Sequence, residues 1–95
     1  MSDLERKQWP DKGLTEKFPV GADWTTVLDG AALVTVDAEA INGSVTLDDP
    51  VESAIDGAVQ RVWLSGGTVG FTVVRCTITT DDGRTLYQDY EFNIV

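Results

Sequence analysis

The stretch Val62–Tyr87, VWLSGGTVGFTVVRCTITTDDGRTLY, alternates β-forming runs with glycine-bearing turns. A strand from Ala58 to Leu64 ends at Gly66-Gly67, a second runs from Gly70 to Thr80, and Asp81-Asp82-Gly83 turns the chain into a third from Arg84 to Val95. By period two, Thr72, Val74, Cys76 and Ile78 share one side of the second strand, and Arg75, Thr77 and Thr79 share the other. On the third, Leu86, Tyr90, Phe92 and Ile94 share a side on which Gln88 is the polar exception, with Asp89, Glu91 and Asn93 opposite. One side is apolar and one polar, the pattern of an antiparallel hairpin with one wet face. In the strand before it, Val62 and Leu64 point one way and Trp63 lies with Arg61 on the other.

The rest of the body reads the same way. Phe18 and Val20 begin a strand that Asp23-Trp24 ends, and Leu28-Asp29-Gly30 is a turn signal. Leu33 to Val36 is strongly β-forming. Asn42-Gly43 is a hairpin signal, since both residues tolerate positive φ. Val45-Thr46-Leu47 follows it, and Asp48-Asp49-Pro50 closes that strand. Residues 51–57 fit a single helical turn or a loop, and no convincing helix competes elsewhere. About seven short one-sided strands in so small a chain predict an all-β fold, an immunoglobulin-like antiparallel β-sandwich over residues 17–95.

Residues 1–16 carry no apolar periodicity, and Pro10 and Gly13 break any helix, so they read as an extended N-terminal arm. Trp9 is its one conspicuous feature. A Trp in such a place either folds back onto its own domain or anchors into a neighbour, where Trp is over-represented among energetic hot spots. The partner-binding candidates are Trp9, Pro10, Asp11 and Trp63. On the anchoring reading the arm is mobile in the free protein and ordered in an assembly.

The chain has 95 residues, enough for one core and marginal in stability without help from partners. Cys76 is the sole cysteine, so no disulfide can form within the chain. No apolar run is long enough to cross a bilayer, and MSDLERKQWPDKG has no hydrophobic segment of the signal-peptide kind. The net charge of −9 argues against nucleic-acid binding, which needs clustered Lys and Arg. All of that charge lies beyond residue 17, where Arg61, Arg75 and Arg84 are the only cations. Such an acidic body either serves solubility or meets a basic partner.

The search for chemistry yields no catalytic residues. The absence of histidine removes the Ser-His-Asp triad, its Cys-His relative and His-based zinc sites. Cys76 lies on an apolar strand side, where a thiol is inert. Gly66-Gly67 and Gly70 precede a strand rather than the helix that a phosphate loop requires. Asp29, Asp48-Asp49 and Asp81-Asp82 lie in turns without EF-hand spacing, and turn chemistry accounts for them without a metal. No metal, no cofactor and no enzymatic activity are expected.

VWLSGGTVG, the following CTITTDDGRT and the terminal FNIV resemble small immunoglobulin-like virion proteins of tailed bacteriophages, the fibre–tail adaptor family. Asp23-Trp24 with Leu28, and the segment around Trp9-Pro10-Asp11, are similar to that family's N-terminal half, although Gln8-Trp9-Pro10 departs from its more acidic start. The likeness spans nearly the whole chain and is most specific over residues 62–85. It implies a structural virion protein, assembled in the host cytoplasm. Such a protein docks tail fibres or neighbouring tail parts through its surface and arm, in multiple copies of a symmetric assembly, with tail, fibre or connector subunits as partners and neither nucleic acid nor membrane. A capsid decoration or head–tail connector-associated protein is the alternative. A carbohydrate-binding module is a further one, with Trp63, Trp9 and Tyr87 as candidate platform aromatics.

Overall fold

The computed structural model describes residues 7–48 and 55–95. Its elements are β1 (Lys7–Gln8), β2 (Lys17–Asp23), the helical turn α1 (Thr25–Leu28), β3 (Leu33–Asn42), β4 (Thr46–Asp48), β5 (Ile55–Asp56), β6 (Val59–Ser65), β7 (Gly70–Thr80) and β8 (Thr85–Ile94). They form two sheets, one ordered β1-β8-β7-β3 and the other β2-β6-β4 with β5 also on β6. The result is an all-β sandwich, as the alternation in β6 to β8 requires. Asp49 and Pro50, read as a strand closure, lie outside the described residues, as do residues 1–6 of the arm and residues 51–54 of the segment 51–57 read as a helical turn or loop. The rest of that segment is instead strand β5, paired antiparallel with β6 around Gly57.

The hairpin of β7 and β8 pairs without a break from Gly70↔Ile94 to Thr79↔Thr85. Its inward residues are buried as the periodicity demands: Thr72, Val74, Cys76 and Ile78 on β7, and Tyr90, Phe92 and Ile94 on β8. Val62 and Leu64 of β6 meet them from the second sheet with Val20 and Ala22 of β2, while Trp63 points out. Each large apolar side chain buried this way is worth about 1.5–3 kcal/mol. Gln88 is buried too, with its Nε2 donating to the Asp89 carbonyl. Gln60, fully buried on β6, accepts from Trp24 Nε1 (3.1 Å) and donates to the Asp37 carbonyl (2.8 Å), so its amide ties α1, β6 and β3 together. A buried amide satisfied on both ends adds specificity without an orphaned polar atom.

Three further expectations need correction. Asn42-Gly43 is not a hairpin turn, because β3 pairs with β7 and β4 pairs with β6 in the opposite sheet. Positive φ is needed there all the same. Gly43 has φ +76°, and a Cβ on it would lie 2.8 Å from the Phe71 carbonyl as the chain crosses between sheets. Next, Leu28-Asp29-Gly30 is a turn as read, with Asp29 and Gly30 at positive φ. The expectation that no helix competes is corrected by the helical turn Thr25–Leu28 before it, started by Asp23 accepting from the Thr25 amide and hydroxyl. Arg84 holds its end by donating to the Val27 and Leu28 carbonyls.

The third correction concerns the arm. Residues 7–14 run parallel to β8, with the amides of Trp9, Lys12 and Leu14 donating to the carbonyls of Glu91, Asn93 and Val95. Trp9, read either as folding back onto its own domain or as anchoring into a neighbour, is 4% exposed and belongs to the core of its own sandwich. That matches the first of these readings and not its place among the partner-binding candidates. Its ring stacks on Tyr90 at 4.5 Å, and its Nε1 donates to Gly21 of the other sheet at 3.1 Å. The indole closes the open side of the sandwich, which a polar neighbourhood in sequence does not disclose.

Candidate docking surface

Period two assigns the outer side of the β8-β7-β3 sheet. Thr35, Asp37 and Glu39 of β3 pair with Thr79, Thr77 and Arg75 of β7, and these with Thr85, Tyr87 and Asp89 of β8. The centre of this face is a fixed group. Arg75 donates twice to Asp89 (2.8 and 3.1 Å) and lies over the Tyr87 ring at 4.4 Å. The bidentate bond to Asp89 raises the guanidinium's affinity for its proton, so the pair stays charged and oriented.

Toward the end where β7 begins, the same face turns apolar. Phe71 is 44% exposed and its neighbour Val73 is buried on the outer side of the sheet. One step beyond the Gly70–Ile94 pair, Val69 and Val95 are exposed, and Leu14 lies beside Val95 through its amide bond. Ile41, exposed in the bulge of β3, completes the group. Among the described residues, five of the eight exposed large hydrophobic ones thus gather at one pole. That is the arrangement expected of an interaction surface rather than of scattered surface apolars.

The other residues expected at a partner surface are dispersed. Pro10 and Asp11 are exposed and line a shallow depression with Glu16, Lys17 and Phe18. Asp11 also accepts from the Asn93 amide, beside the apolar pole. Trp63, 39% exposed, stands on the opposite sheet across from Pro19. The three candidate platform aromatics are therefore separated: Trp9 is inside, and Trp63 and Tyr87 are on opposite faces. Sequence reasoning missed the apolar pole, although Phe71 and Val73 on the polar side of β7 were a legible signal.

The opposite pole is acidic and satisfied from within. Asp81 accepts from the Ala32 amide, and Asp82 accepts from the Thr80 hydroxyl and from Arg84. The Thr80 hydroxyl, then Arg84, holds the Asp82 carboxyl below its usual range, and hydrogen bonds from Thr25 do the same for Asp23. Among the described residues, no three His, Cys, Asp or Glu side chains gather around a common point. Nor is any described helix long and apolar enough to cross a membrane.

Near Asp23, a cleft of about 140 Å³ lies between Lys7, Trp24, Gln88 and Tyr90. Burial, and then the Cys76 and Asp23 charges, push the Tyr90 hydroxyl up to about 12. The folded state thus holds this proton more tightly than the unfolded chain. Ionising Tyr90 therefore costs the fold stability, which is level below about pH 10 and falls as pH rises toward about 12. Denaturant midpoints should be level from neutral pH to about pH 9 and fall steeply above about pH 10. A midpoint unchanged at about pH 11.5 would show that Tyr90 ionises freely in the fold.

The model of the family described as podophage GP4 fiber-tail adaptor protein gp77 matches residues 12–93. No curated protein matches the chain by sequence. Among solved structures, the PKD domain from KIAA 1837 protein, determined in solution, superposes with a TM-score of 0.58. The match covers 99% of this chain and 91% of that one at 18% identity. At that identity the likeness is one of fold, and it agrees with an immunoglobulin-like sandwich. Matched over most of its length, the chain belongs to the podophage fibre–tail adaptor family, a structural family of phage tails.

Proposed function

We propose that this chain is a non-enzymatic docking module that joins tail fibres or neighbouring tail parts through its surface, in several copies of a symmetric virion assembly. The observation that carries this reading is the apolar pole formed by Leu14, Ile41, Val69, Phe71 and Val95, beside the rigid Arg75–Asp89–Tyr87 group. A sandwich fixed by its core presents such a patch with little ordering cost, which is how rigid modules gain affinity. The N-terminal segment contributes through Pro10, Asp11 and Leu14 rather than through Trp9. The family favours a tail position over capsid decoration, and the separation of Trp63 from Tyr87 disfavours a sugar platform.

Val69→Asp with Phe71→Asp tests the reading by complementation of a phage lacking this protein. Both side chains are exposed, so thermal unfolding should match the wild type, while incorporation into particles should drop about tenfold or more. Normal incorporation would remove the apolar pole as the docking surface.

A further inference from the structure

The cleft of about 140 Å³ beside Tyr90 opens on the side of the sandwich, between β8 of one sheet and the end of β2 with α1 of the other. Arg84 holds the end of α1, so the cleft sits toward the acidic pole and away from the apolar one. Two of its walls are committed elsewhere, Trp24 Nε1 to Gln60 and Gln88 Nε2 to the Asp89 carbonyl. Tyr90 is not. Its side chain is 5% exposed, and among the described residues its hydroxyl has no hydrogen-bond partner. A buried polar group without a partner calls for an explanation, and a missing ligand is one. Burial pushes this hydroxyl up to about 12, so it is a donor throughout the neutral range. Lys7 and Asp23 line the same cleft with opposite charges. Hydrogen bonds from Thr25, and then the Lys7 charge, lower the Asp23 carboxyl, yet no ion pair closes between Lys7 and Asp23. Asp23 Oδ1 accepts twice from Thr25, which leaves Oδ2 to face a ligand.

We propose that this cleft binds a neutral primary amide, the group carried by Asn and Gln side chains, between Tyr90, Lys7 and Asp23. The amide oxygen accepts from the Tyr90 hydroxyl and the Lys7 ammonium, and the amide N–H donates to Asp23 Oδ2. A carboxylate in the same place meets Asp23, and an ammonium meets Lys7, so either ion faces one like charge. The amide faces none and bridges the two charges that do not reach each other. Size agrees with this. The volume holds a few waters at about 30 Å³ each, or one side-chain amide, and falls below the roughly 300 Å³ at which pockets for whole small-molecule ligands begin. The cleft shares no residue with the apolar pole, so the site does not depend on the docking reading.

The test titrates acetamide into the isotopically labelled full chain and follows the backbone amide signals of Lys7, Thr26, Gln88 and Tyr90, with acetate and methylammonium as competing chemistries. Acetamide should saturate with a Kd on the order of 10 mM, as suits so small a ligand, and both ions should bind at least about tenfold more weakly. Tyr90→Phe keeps the stack on Trp9 and removes a hydroxyl that bonds no described residue, so its melting temperature should match or exceed the wild type while acetamide binding is lost. Lys7→Met, at an exposed position, should weaken acetamide about threefold or more, and it carries the test if Tyr90→Phe does not fold. Equal binding of the three probes, or no saturable shift with acetamide, would mean that the cleft holds only water and overturn the proposal. Acetamide binding unchanged in the variants would overturn it as well. Complementation of a phage lacking this protein separates the two sources of the amide. Reduced incorporation of Tyr90→Phe into particles assigns it to an Asn or Gln of a neighbouring virion protein, and normal incorporation with acetamide binding lost assigns it to a free amide.

Discussion

Trp9→Ala should lower the unfolding free energy by about 3–5 kcal/mol, the range for truncating a buried large aromatic. Small domains have about 5–15 kcal/mol in total, so this one change takes a large share. The indole is 4% exposed, stacks on Tyr90 with 13° between the ring planes and lies 6.1 Å from Phe92. Its Nε1 bond to Gly21 spans the two sheets, so truncation also leaves a half-buried carbonyl without its donor. Trp9→Phe keeps the stack and gives up that bond, at a smaller cost of about 1 kcal/mol. Deleting residues 1–16 goes further. It removes the three amides that extend the β8 edge, and the truncated chain should show no cooperative unfolding transition. Urea titration followed by far-UV circular dichroism measures all three. If Trp9→Ala melts as the wild type does, the segment detaches at low cost and the docking-arm reading of residues 1–16 returns.

What could be read from the sequence was local in range. Thr72, Val74, Cys76 and Ile78 are spaced by two, and a strand allows such a set only one side, so their burial followed from spacing alone. The same rule put Trp63 outside, opposite Val62 and Leu64. Asn42-Gly43 misled for a physical reason. A hairpin and a crossing between sheets both need positive φ, and the local residues do not distinguish them. The difference lies in the pairing of β3 with β7, which sets Asn42 against Val73, remote from it in the chain. The burial of Lys12 was illegible on the same ground, and that of Trp9 was one of two open readings, since their partners Tyr90, Gly21 and Gly66 are remote in the chain. The apolar pole is intermediate. Phe71 and Val73 break the polar pattern of their side of β7, but Leu14 and Val95 join them only through the fold.

Lys12→Met should be the other severe lesion, although a lysine in a mixed-charge segment reads as a solvated residue. The side chain is fully buried. Its three ammonium donors are all taken, by the carbonyls of Gly13 (2.8 Å), Leu14 (3.2 Å) and Gly66 (2.9 Å). A lysine has three N–H donors and no acceptor, so this is full satisfaction without a carboxylate. The Gly66 bond joins the N-terminal segment to the turn after β6, and the Lys12 backbone meanwhile pairs with Asn93 and Val95. Methionine fills similar space and leaves the Leu14 and Gly66 carbonyls without this donor, each costing about 1–3 kcal/mol where water cannot reach it, while Gly13 still accepts from the Glu16 amide. We therefore expect a loss of roughly 3 kcal/mol or more, comparable to Trp9→Ala. The two lesions share one edge, so Trp9→Ala combined with Lys12→Met should cost less than the sum of the separate losses, because either change already frees residues 7–14 from β8. Strict additivity would mean that each residue stabilises the core on its own and that the segment does not act as a unit.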